Sequence, residues 1–463
     1  MTARRILLIV ALAALGIAAL RDLRRLGDSL PWNRLYDFQD FYCAGSALDQ
    51  GGDPYRYEPL HRCEHAVNRS AAYRADPARV VPAPLPPYDF PPLRLLARVP
   101  FANARVLDAL AVAAAVAASM VALTVVGVPL DVAVLALLLP AGYLLLDAGQ
   151  IVPFALLALV LGGAALARGR DALAGFFAAL CLVEPHLGLP AFVAVLVVVP
   201  RARIAALSTA IVLALAALWS VGAANIVEYV TRVLPAQAAA ETGYVYQYSF
   251  TYLLAKIGLP AGAALLLGQL SYLALLIYGI ALARRLAAVL KRRELIAYLP
   301  AAFSVIAGSY VHMVDLAIAI PAALVLAYAL RGRSRLTAAL AVCLLAVPWI
   351  TVWIVKKLFL ATILVVALLL WRLEVGVSIA LAAFCVIAAA IYAFQLHPPP
   401  PFPAAAATTL APGDLAQNGW AAYVAAIGDA APGWFLIKIP TWLAFVGLLA
   451  ASTSAARQPP ETT

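Results

Sequence analysis

Long apolar runs recur along most of this chain and constrain its fold more than any other feature. Each run is about 15 to 22 residues long, which matches α-helices that cross the ~30 Å hydrocarbon core of a bilayer. Strict alternation of apolar and polar residues is absent from these runs. Because the bilayer core offers no hydrogen-bond partners to backbone N–H and C=O groups, a spanning segment must satisfy them within the protein, as a helix does. The sequence therefore predicts an all-α polytopic membrane protein, with residues 1–463 forming a single integral membrane domain.

The composition supports the same class of protein. The chain is 65% hydrophobic and 12% charged, with a mean hydropathy of +0.93, whereas a soluble domain is roughly half apolar and about one quarter charged. The net charge of +10 fits short basic loops that set topology and contact anionic lipid. We therefore expect membrane lipid as a partner and no nucleic acid.

The amino-terminal segment resembles a signal peptide, because Arg4 and Arg5 precede the apolar run from Ile6 to Leu20. A charged cluster at residues 21–25 ends the run, and no small-x-small cleavage pattern follows it directly. We therefore expect an uncleaved first transmembrane helix. The sequence predicts a bundle of about 12 to 14 transmembrane helices in all. The later spans are predicted at residues 105–127, 129–147, 152–167, 172–184, 187–200, 204–222, 260–283, 295–310, 314–330, 336–355, 358–371, 375–394 and 434–452.

Three polar stretches interrupt the apolar runs, at residues 21–104, 224–259 and 395–433. The first is rich in proline, tyrosine and arginine, and proline removes a backbone donor and disfavours helix before it. We expect one or two short amphipathic helices here, lying at the membrane interface and joined by extended turns. Cys43 and Cys63 share this loop, either as a disulfide in an oxidising compartment or as two free thiols.

The basic loops predict the orientation. Clusters at residues 168–170, 201–203, 284–293 and 331–335 fall on the same side as the amino terminus, and the positive-inside rule makes that side cytoplasmic. This assignment has exceptions, because it places Lys356, Lys357 and the arginines of the first loop on the external side. The 21–104 loop and the 395–433 loop then face outward, and the sequence predicts a multi-pass protein of a bacterial inner membrane with its site on the external, periplasmic face.

Two carboxylates in the first loop are the leading candidates for chemistry. Asp37 and Asp40 would share one face of a helix, and an aspartate near a low-dielectric surface can act as a general base. The alternative is a solvated interfacial helix, with Asp37 as its N-cap. His312 and Asp315 repeat this spacing at a helix end, where the histidine assists proton transfer, binds phosphate or is a buried structural residue.

Other polar residues gather on the predicted external side. Glu184 and His186 flank a proline that breaks an apolar hairpin, and Gly149 with Gln150 forms either a turn or a sugar or phosphate contact. His61, Cys63 and His65 match no familiar zinc spacing, so solvated loop residues are favoured. No phosphate-cradling glycine loop occurs, and we expect no cofactor and no metal.

The motifs of the first loop resemble a known family. Asp37-Phe38, Phe41-Tyr42, Ala44-Gly45 and the Gly52, Pro54 and Tyr55 group resemble the early signature of a bacterial GT-C glycosyltransferase family. That family was long labelled a domain of unknown function and contains polyprenyl-phosphate-mannose-dependent mannosyltransferases. Further matches, over roughly residues 5–330, are Tyr88 with Phe90-Pro91-Pro92, Gly149-Gln150, and Ser309 with His312.

The resemblance implies a GT-C-like helical bundle that holds a polyprenyl-phosphate sugar donor and transfers the sugar, mannose or a similar one, to an external glycan or glycolipid acceptor with inversion. By position Asp37 is the implied base, Asp40 is a second candidate, and His312 supports the sugar or phosphate. The candidate substrate-binding residues of the sequence as a whole are Tyr42, Tyr88, Gln150, Glu184, His186, Arg34, Arg94 and Lys256.

One position departs from the family pattern. Glu184-Pro185 stands where the family often has Lys-Pro, and a glutamate would repel a donor phosphate. Either another cation substitutes, from Arg34, Arg56, Arg94, Arg98 or Lys256, or the donor site is altered or lost. Two alternatives therefore remain: a lipid or solute transporter, and a catalytically inactive GT-C-like subunit.

Overall fold

The computed structural model describes residues 3–27, 30–68, 76, 78–399, 410–427 and 432–457. These residues contain helices and no strand, with one isolated bridge between Arg56 and Leu415. In chain order the α-helices are α1 Ala3–Leu23, α2 Phe38–Asp49, α3 Tyr57–Val67, α4 Phe90–Leu96, α5 Phe101–Val125, α6 Leu130–Pro140, α7 Val152–Ala167, α8 Asp171–Leu180, α9 Pro185–Val198, α10 Arg203–Glu228, α11 Leu234–Glu241, α12 Phe250–Lys256, α13 Ala261–Val289, α14 Leu295–Ser304, α15 Ile320–Ala329, α16 Gly332–Leu345, α17 Trp349–Ile354, α18 Phe359–Arg372, α19 Val377–Leu396, α20 Ala416–Ile427, α21 Gly433–Leu436 and α22 Ile439–Arg457.

Five helical segments are long and apolar enough to cross a membrane, namely α5, Pro200–Glu241, α13, α19 and Gly433–Arg457. Outward-facing residues of α10, α13 and α19 are apolar and exposed, such as Trp219 at 76% and Val386 at 68%. By contrast, α14 and most of α15 are buried in the centre of the bundle. Apolar residues on both the inside and the outside are typical of a bundle solvated by lipid, so the chain is an α-helical membrane protein.

Shorter apolar helices complete the bundle at Leu130–Leu146, Val152–Ala167, Asp171–Val183, Pro185–Val198, Leu295–Ser304 and Asp315–Ala329. Most agree closely with predicted spans. The predicted span 336–355 is wrong as a single helix, because it divides into α16 and α17 at Pro348. Proline cannot donate the backbone hydrogen bond that would continue α16.

The predicted loop at 224–259 is also partly wrong, because helix continues through Glu241. Gly222 has φ 78° and ψ 165°, which kinks the segment, and no atom lies within 4 Å of the position a Cβ would take. Only glycine adopts this conformation without strain. Beyond the kink the helix packs on the first loop, where Tyr229 stacks on Tyr55 at 5.6 Å and Glu228 pairs with Arg56 at 2.7 Å.

The first loop forms a compact helical layer at one end of the bundle. Its helices α2, α3 and α4 bury Phe38, Leu60 and Phe90 against one another, and a disulfide joins Cys43 in α2 to Cys63 in α3. Short helices joined by turns are present as expected, but there are three of them rather than one or two. In the predicted 395–433 loop, the described part includes α20. Just before α20, the carbonyl of Asp414 accepts a hydrogen bond from the N–H of Tyr57 in the first loop at 2.8 Å.

The two ends of the bundle differ in their polar contacts. At one end, surface ion pairs join Arg293 to Asp171 at 2.7 Å and Arg372 to Asp131 at 2.5 Å. These loops belong to the basic side expected from the sequence. The first loop, Gln150, Glu184 and His312 all lie at the opposite end, so the structure separates the basic loops from the candidate site.

Removal of the disulfide should loosen the layer that carries Asp37. In the double variant Cys43→Ser/Cys63→Ser we expect a loss of about 3 kcal/mol of stability, because the bond closes a loop of moderate length in the unfolded chain. A lower melting temperature of the purified protein would measure it. Dithiothreitol should lower the melting temperature of the wild type by a similar amount. Cys385→Ser, a substitution at an exposed free thiol, is the control, and dithiothreitol should lower its melting temperature as much as that of the wild type. A wild-type protein insensitive to reductant would contradict this prediction.

Candidate active site

Asp37 is fixed to a turn that lies more than 100 residues away in sequence. It precedes α2, but its side chain does not cap the helix. Instead its carboxylate accepts a hydrogen bond from Nε2 of Gln150, and its backbone N–H donates to the carbonyl of Ala148 at 2.7 Å. Asp37 as a whole is half-buried.

The turn that presents Gln150 depends on Gly149. Its φ of 68° lies in the left-handed region, and an added Cβ would stand 2.8 Å from Cβ of Phe38 and 3.3 Å from Cβ of Leu35. The close approach brings the first loop directly onto the turn that follows the helical segment Leu130–Leu146. Gly149 therefore sets the distance between Asp37 and its amide partner.

A second group of polar residues centres on Glu241. Its carboxylate, which is 1% exposed, accepts hydrogen bonds from Trp420 Nε1 at 2.7 Å, Gln247 Nε2 at 2.7 Å and Gln237 Nε2 at 2.9 Å. It also contacts Nε2 of His312 at 3.2 Å. Each oxygen of this carboxylate thus contacts two of these four side chains.

The network continues from His312 to the predicted pair Glu184 and His186. Oδ2 of Asp315 accepts a hydrogen bond from the His312 N–H at 2.7 Å and contacts Nε2 of His186 at 3.3 Å. Nδ1 of His186 lies 3.4 Å from Oε1 of Glu184. Four carboxylates and two histidines thus gather at one end of the bundle when Asp37 is included.

The electrostatics of Asp37 and His312 are linked. Burial raises the pKa of Asp37, and the hydrogen bond from Gln150 and the nearby His312 oppose that rise. Burial lowers the pKa of His312, but the Glu241 carboxylate, Asp315 and Asp37 outweigh it and raise the pKa to about 9. At neutral pH the site therefore holds an imidazolium close to a carboxylate that is more basic than usual.

Asp40 lies apart from this pair. Asp37 stands outside α2, so the two carboxylates do not share a helix face as expected. Asp40 is 2% exposed, and burial followed by the neighbouring Glu64 raises the pKa of its carboxyl. Its surroundings favour a buried structural carboxyl, while Asp37 is the one held beside Gln150 and His312.

The two tyrosines that the sequence suggests as substrate-binding residues donate hydrogen bonds from their hydroxyls to backbone carbonyls. Tyr42 donates to the carbonyl of Val99 at 3.0 Å, and Tyr88 donates to the carbonyl of Leu182. The Tyr42 contact lies within the first loop, and the Tyr88 contact fastens that loop to the segment before α9. The structure thus gives each of these side chains a positioning role.

The candidate cations fall into two groups. Arg34 contacts Asp147 at 3.6 Å, Arg94 contacts Asp49 at 3.1 Å, and Arg98 contacts the same aspartate at 2.8 Å. Arg56 is likewise paired, with Asp53 at 2.8 Å and with Glu228. The second group is Lys256, whose Nζ lies 5.7 Å from the centroid of the Tyr252 ring.

Sequence reasoning missed Glu241, Gln247 and Trp420. One signal was available, because Glu241 is the only acidic residue between Glu228 and Glu294. For metals, Cys63 is committed to the disulfide, and in the described ranges no group of three or more His, Cys, Asp or Glu is arranged to hold an ion.

No protein-family model, curated protein or solved structure matches this chain. The geometry of the site therefore carries the functional argument.

Substitution of Gly149 should disturb the contact between the first loop and the bundle. For Gly149→Ala we expect a loss of roughly 1–3 kcal/mol, from the positive φ together with the clash against Phe38. The readout is the melting temperature in detergent. Gly376→Ala is the matched control, since nothing lies within 4 Å of its added Cβ. Equal melting temperatures for the two variants would show that the turn tolerates a side chain.

Proposed function

We propose that this protein is a membrane glycosyltransferase that moves a sugar from a polyprenyl-phosphate donor to a glycan or glycolipid acceptor. The observation that carries the proposal is the convergence of Asp37, Gln150 and His312. These residues come from three separate motifs of the family resemblance, and the fold gathers them at one end of the bundle.

The chemistry requires one base and a way to stabilise the leaving phosphate. In the proposed step the Asp37 carboxylate takes the proton of an acceptor hydroxyl, and the hydroxyl oxygen attacks the anomeric carbon of the donor. The bond from that carbon to the phosphate oxygen breaks, and polyprenyl phosphate leaves with the electron pair. Direct displacement inverts the anomeric configuration. Gln150 orients the base, as positioned groups do in general base catalysis.

His312 serves as the nearby cation in this proposal. Its contact with Glu241 favours the imidazolium, which offsets negative charge that develops during transfer. Glu184 is paired with His186 and so belongs to the carboxylate network. Its place there accounts for a glutamate at the position where the family often has lysine, provided that the donor phosphate binds elsewhere.

We infer the location from the separation of charges. The positive-inside rule assigns the basic loops to the cytoplasm, and the candidate site lies at the other end of the bundle. The site then faces outward from a bacterial inner membrane, where a lipid-linked sugar and an envelope glycan both have access. This orientation also suits the disulfide, which is favoured in an oxidising compartment.

Substitution of the base is the direct test of the transferase. Membranes carrying the full chain would be supplied with radiolabelled polyprenyl-phosphate sugars, and labelled product would be measured. We expect Asp37→Asn to lower transfer by about 10²- to 10⁴-fold, the usual contribution of a positioned base. Asp131→Asn, at the opposite end of the bundle, is the control that retains wild-type transfer.

Asp40→Asn separates the two first-loop carboxylates, and we expect it to retain most of the transfer if the protein folds. Equal transfer by wild type and Asp37→Asn would remove Asp37 as the base. No transfer by wild type from any donor would reject the enzyme and favour an inactive subunit or a transporter.

The pH dependence provides a second test. Because the folded-state pKa of His312 is raised to about 9, the imidazolium persists below that pH and is lost as the pH rises through it. Transfer should therefore fall near pH 9, and His312→Gln should abolish this alkaline limb while lowering the rate. His397→Gln, at an exposed helix end, should keep the wild-type profile. An unchanged alkaline limb in His312→Gln would exclude the imidazolium role.

A further inference from the structure

Two turns that are remote in sequence meet beside α1. One follows α1 and carries Arg24 and Arg25, and the other links α17 to α18 and carries Lys356 and Lys357. Nζ of Lys357 donates a hydrogen bond to the backbone carbonyl of Arg25, and α1 packs against the second turn. All four side chains are exposed, and we call them the basic patch.

A chain of aromatic rings shows that the basic patch lies at the same end of the bundle as the candidate active site. Trp353, just before the two lysines, contacts Trp434 with ring centroids 5.0 Å apart, and Trp434 contacts Tyr246 at 5.1 Å. Tyr246 then contacts Tyr244 at 5.3 Å, and Tyr244 contacts His312 at 6.3 Å. The patch and the site are therefore separated by a few side chains.

The charge of the basic patch is not balanced by carboxylates. Asp22, the acidic residue at the end of α1, pairs with Arg21 at 3.2 Å and not with the patch. Within the described ranges, none of the four cations forms an ion pair. The carbonyl that Lys357 contacts satisfies one donor and leaves the charge of its ammonium group in place. The patch therefore presents a surplus of positive charge.

The basic patch lies at the depth where a membrane span ends. α19 is long and apolar enough to cross a membrane and ends at Leu396, which is 58% exposed. In its last turn, Nε2 of Gln395 donates to the carbonyl of Val352 at 3.0 Å, and Lys356 follows four residues later. On the other side of the patch, Leu20 of α1 is 52% exposed directly before the charged turn. The apolar surface thus ends where the cations begin, which is the depth of lipid headgroups.

Topology alone does not account for the basic patch. The positive-inside rule places basic residues in cytoplasmic loops, whereas the orientation inferred above places this patch on the opposite side. A negatively charged partner at headgroup depth does account for four exposed and unpaired cations there.

We propose that the basic patch binds the anionic phosphate of a membrane lipid, in the leaflet at the site end of the bundle. The guanidinium groups of Arg24 and Arg25 and the ammonium groups of the two lysines donate charge-assisted hydrogen bonds to phosphate oxygens. The exposed apolar side chains at the ends of α1 and α19 contact the chains of the lipid. Lipid binding here is independent of sugar transfer, because no candidate catalytic residue belongs to the patch.

Photolabelling in nanodiscs tests the site directly. The full-length protein would be placed in phosphatidylcholine with a small share of a phosphatidylglycerol that carries a diazirine near its headgroup, and labelled peptides would be located by mass spectrometry. We expect label on the peptides of the basic patch. In Arg25→Gln/Lys357→Gln this label should fall roughly 25-fold, the product of two five-fold losses. Label at the basic loop 284–293, at the opposite end, should stay unchanged. Equal label at the patch of the variant and of wild type would overturn the proposal.

Matched variants separate the charge of the patch from its structure. Lys357→Gln keeps a donor for the carbonyl of Arg25 but removes the charge, so it should lower the label roughly five-fold. Lys357→Arg keeps the charge and should label like wild type. Arg62→Gln removes another exposed cation of the site end, one that pairs with Glu58 at 3.0 Å, and should also label like wild type. Equal losses in Lys357→Gln and Lys357→Arg would contradict recognition by charge and overturn the proposal.

Competing lipids identify the chemistry that is recognised. Phosphatidylcholine with the same diazirine has no net charge and should label the patch at least about five-fold less. Equal label from phosphatidylcholine would indicate a general lipid contact, and loss of the label to an equal concentration of inorganic phosphate would indicate an adventitious ion only. Either result would overturn the proposal.

Farnesyl phosphate distinguishes two sources of a lipid phosphate. Its competition with the labelled phosphatidylglycerol would support the proposal and show that the patch also accepts a prenyl phosphate. Retention of the label in its presence would support the proposal with phospholipid as the source.

Discussion

The buried carboxylate of Glu241 is the contact on which the site end of the molecule depends. It receives hydrogen bonds from α11, from the segment before α12 and from α20, and it also pairs with His312. A buried donor that loses its acceptor costs about 1–3 kcal/mol, and a buried charge that loses its partner costs more. One side chain therefore ties its own helix and the segment that follows it to two segments that are remote in sequence, those of Trp420 and His312.

The location of this network follows from the cost of charge in a membrane. A charged residue at a helix centre costs about 2.5–3.5 kcal/mol on insertion scales, and less near a helix end. The central helices α14 and α15 are accordingly apolar, and the ionisable groups lie at the two ends. One end carries surface ion pairs such as Arg293 with Asp171, while the other carries a compact network of carboxylates and histidines.

The sequence predicted the helical membrane class and most apolar helices, because hydrophobic length is a local property. It failed where a single residue changes the path of the chain, as at Pro348 and Gly222. The first-loop aspartate, Gln150 and His312 were each identified, but only the fold shows that Asp37 bonds Gln150 across more than 100 residues. Glu241 was missed because its partners lie on other segments and follow no periodicity.

The charge balance of the network bears on where a donor would bind. The carboxyl groups of Asp37, Glu184, Glu241 and Asp315 lie there with two histidines, and burial raises the pKa of Glu184 to about 7 and that of Asp37 above its ordinary value. Away from the His312 imidazolium, a surface of carboxyl groups suits an anomeric carbon that gains positive character, as in the transition state of glycoside hydrolysis.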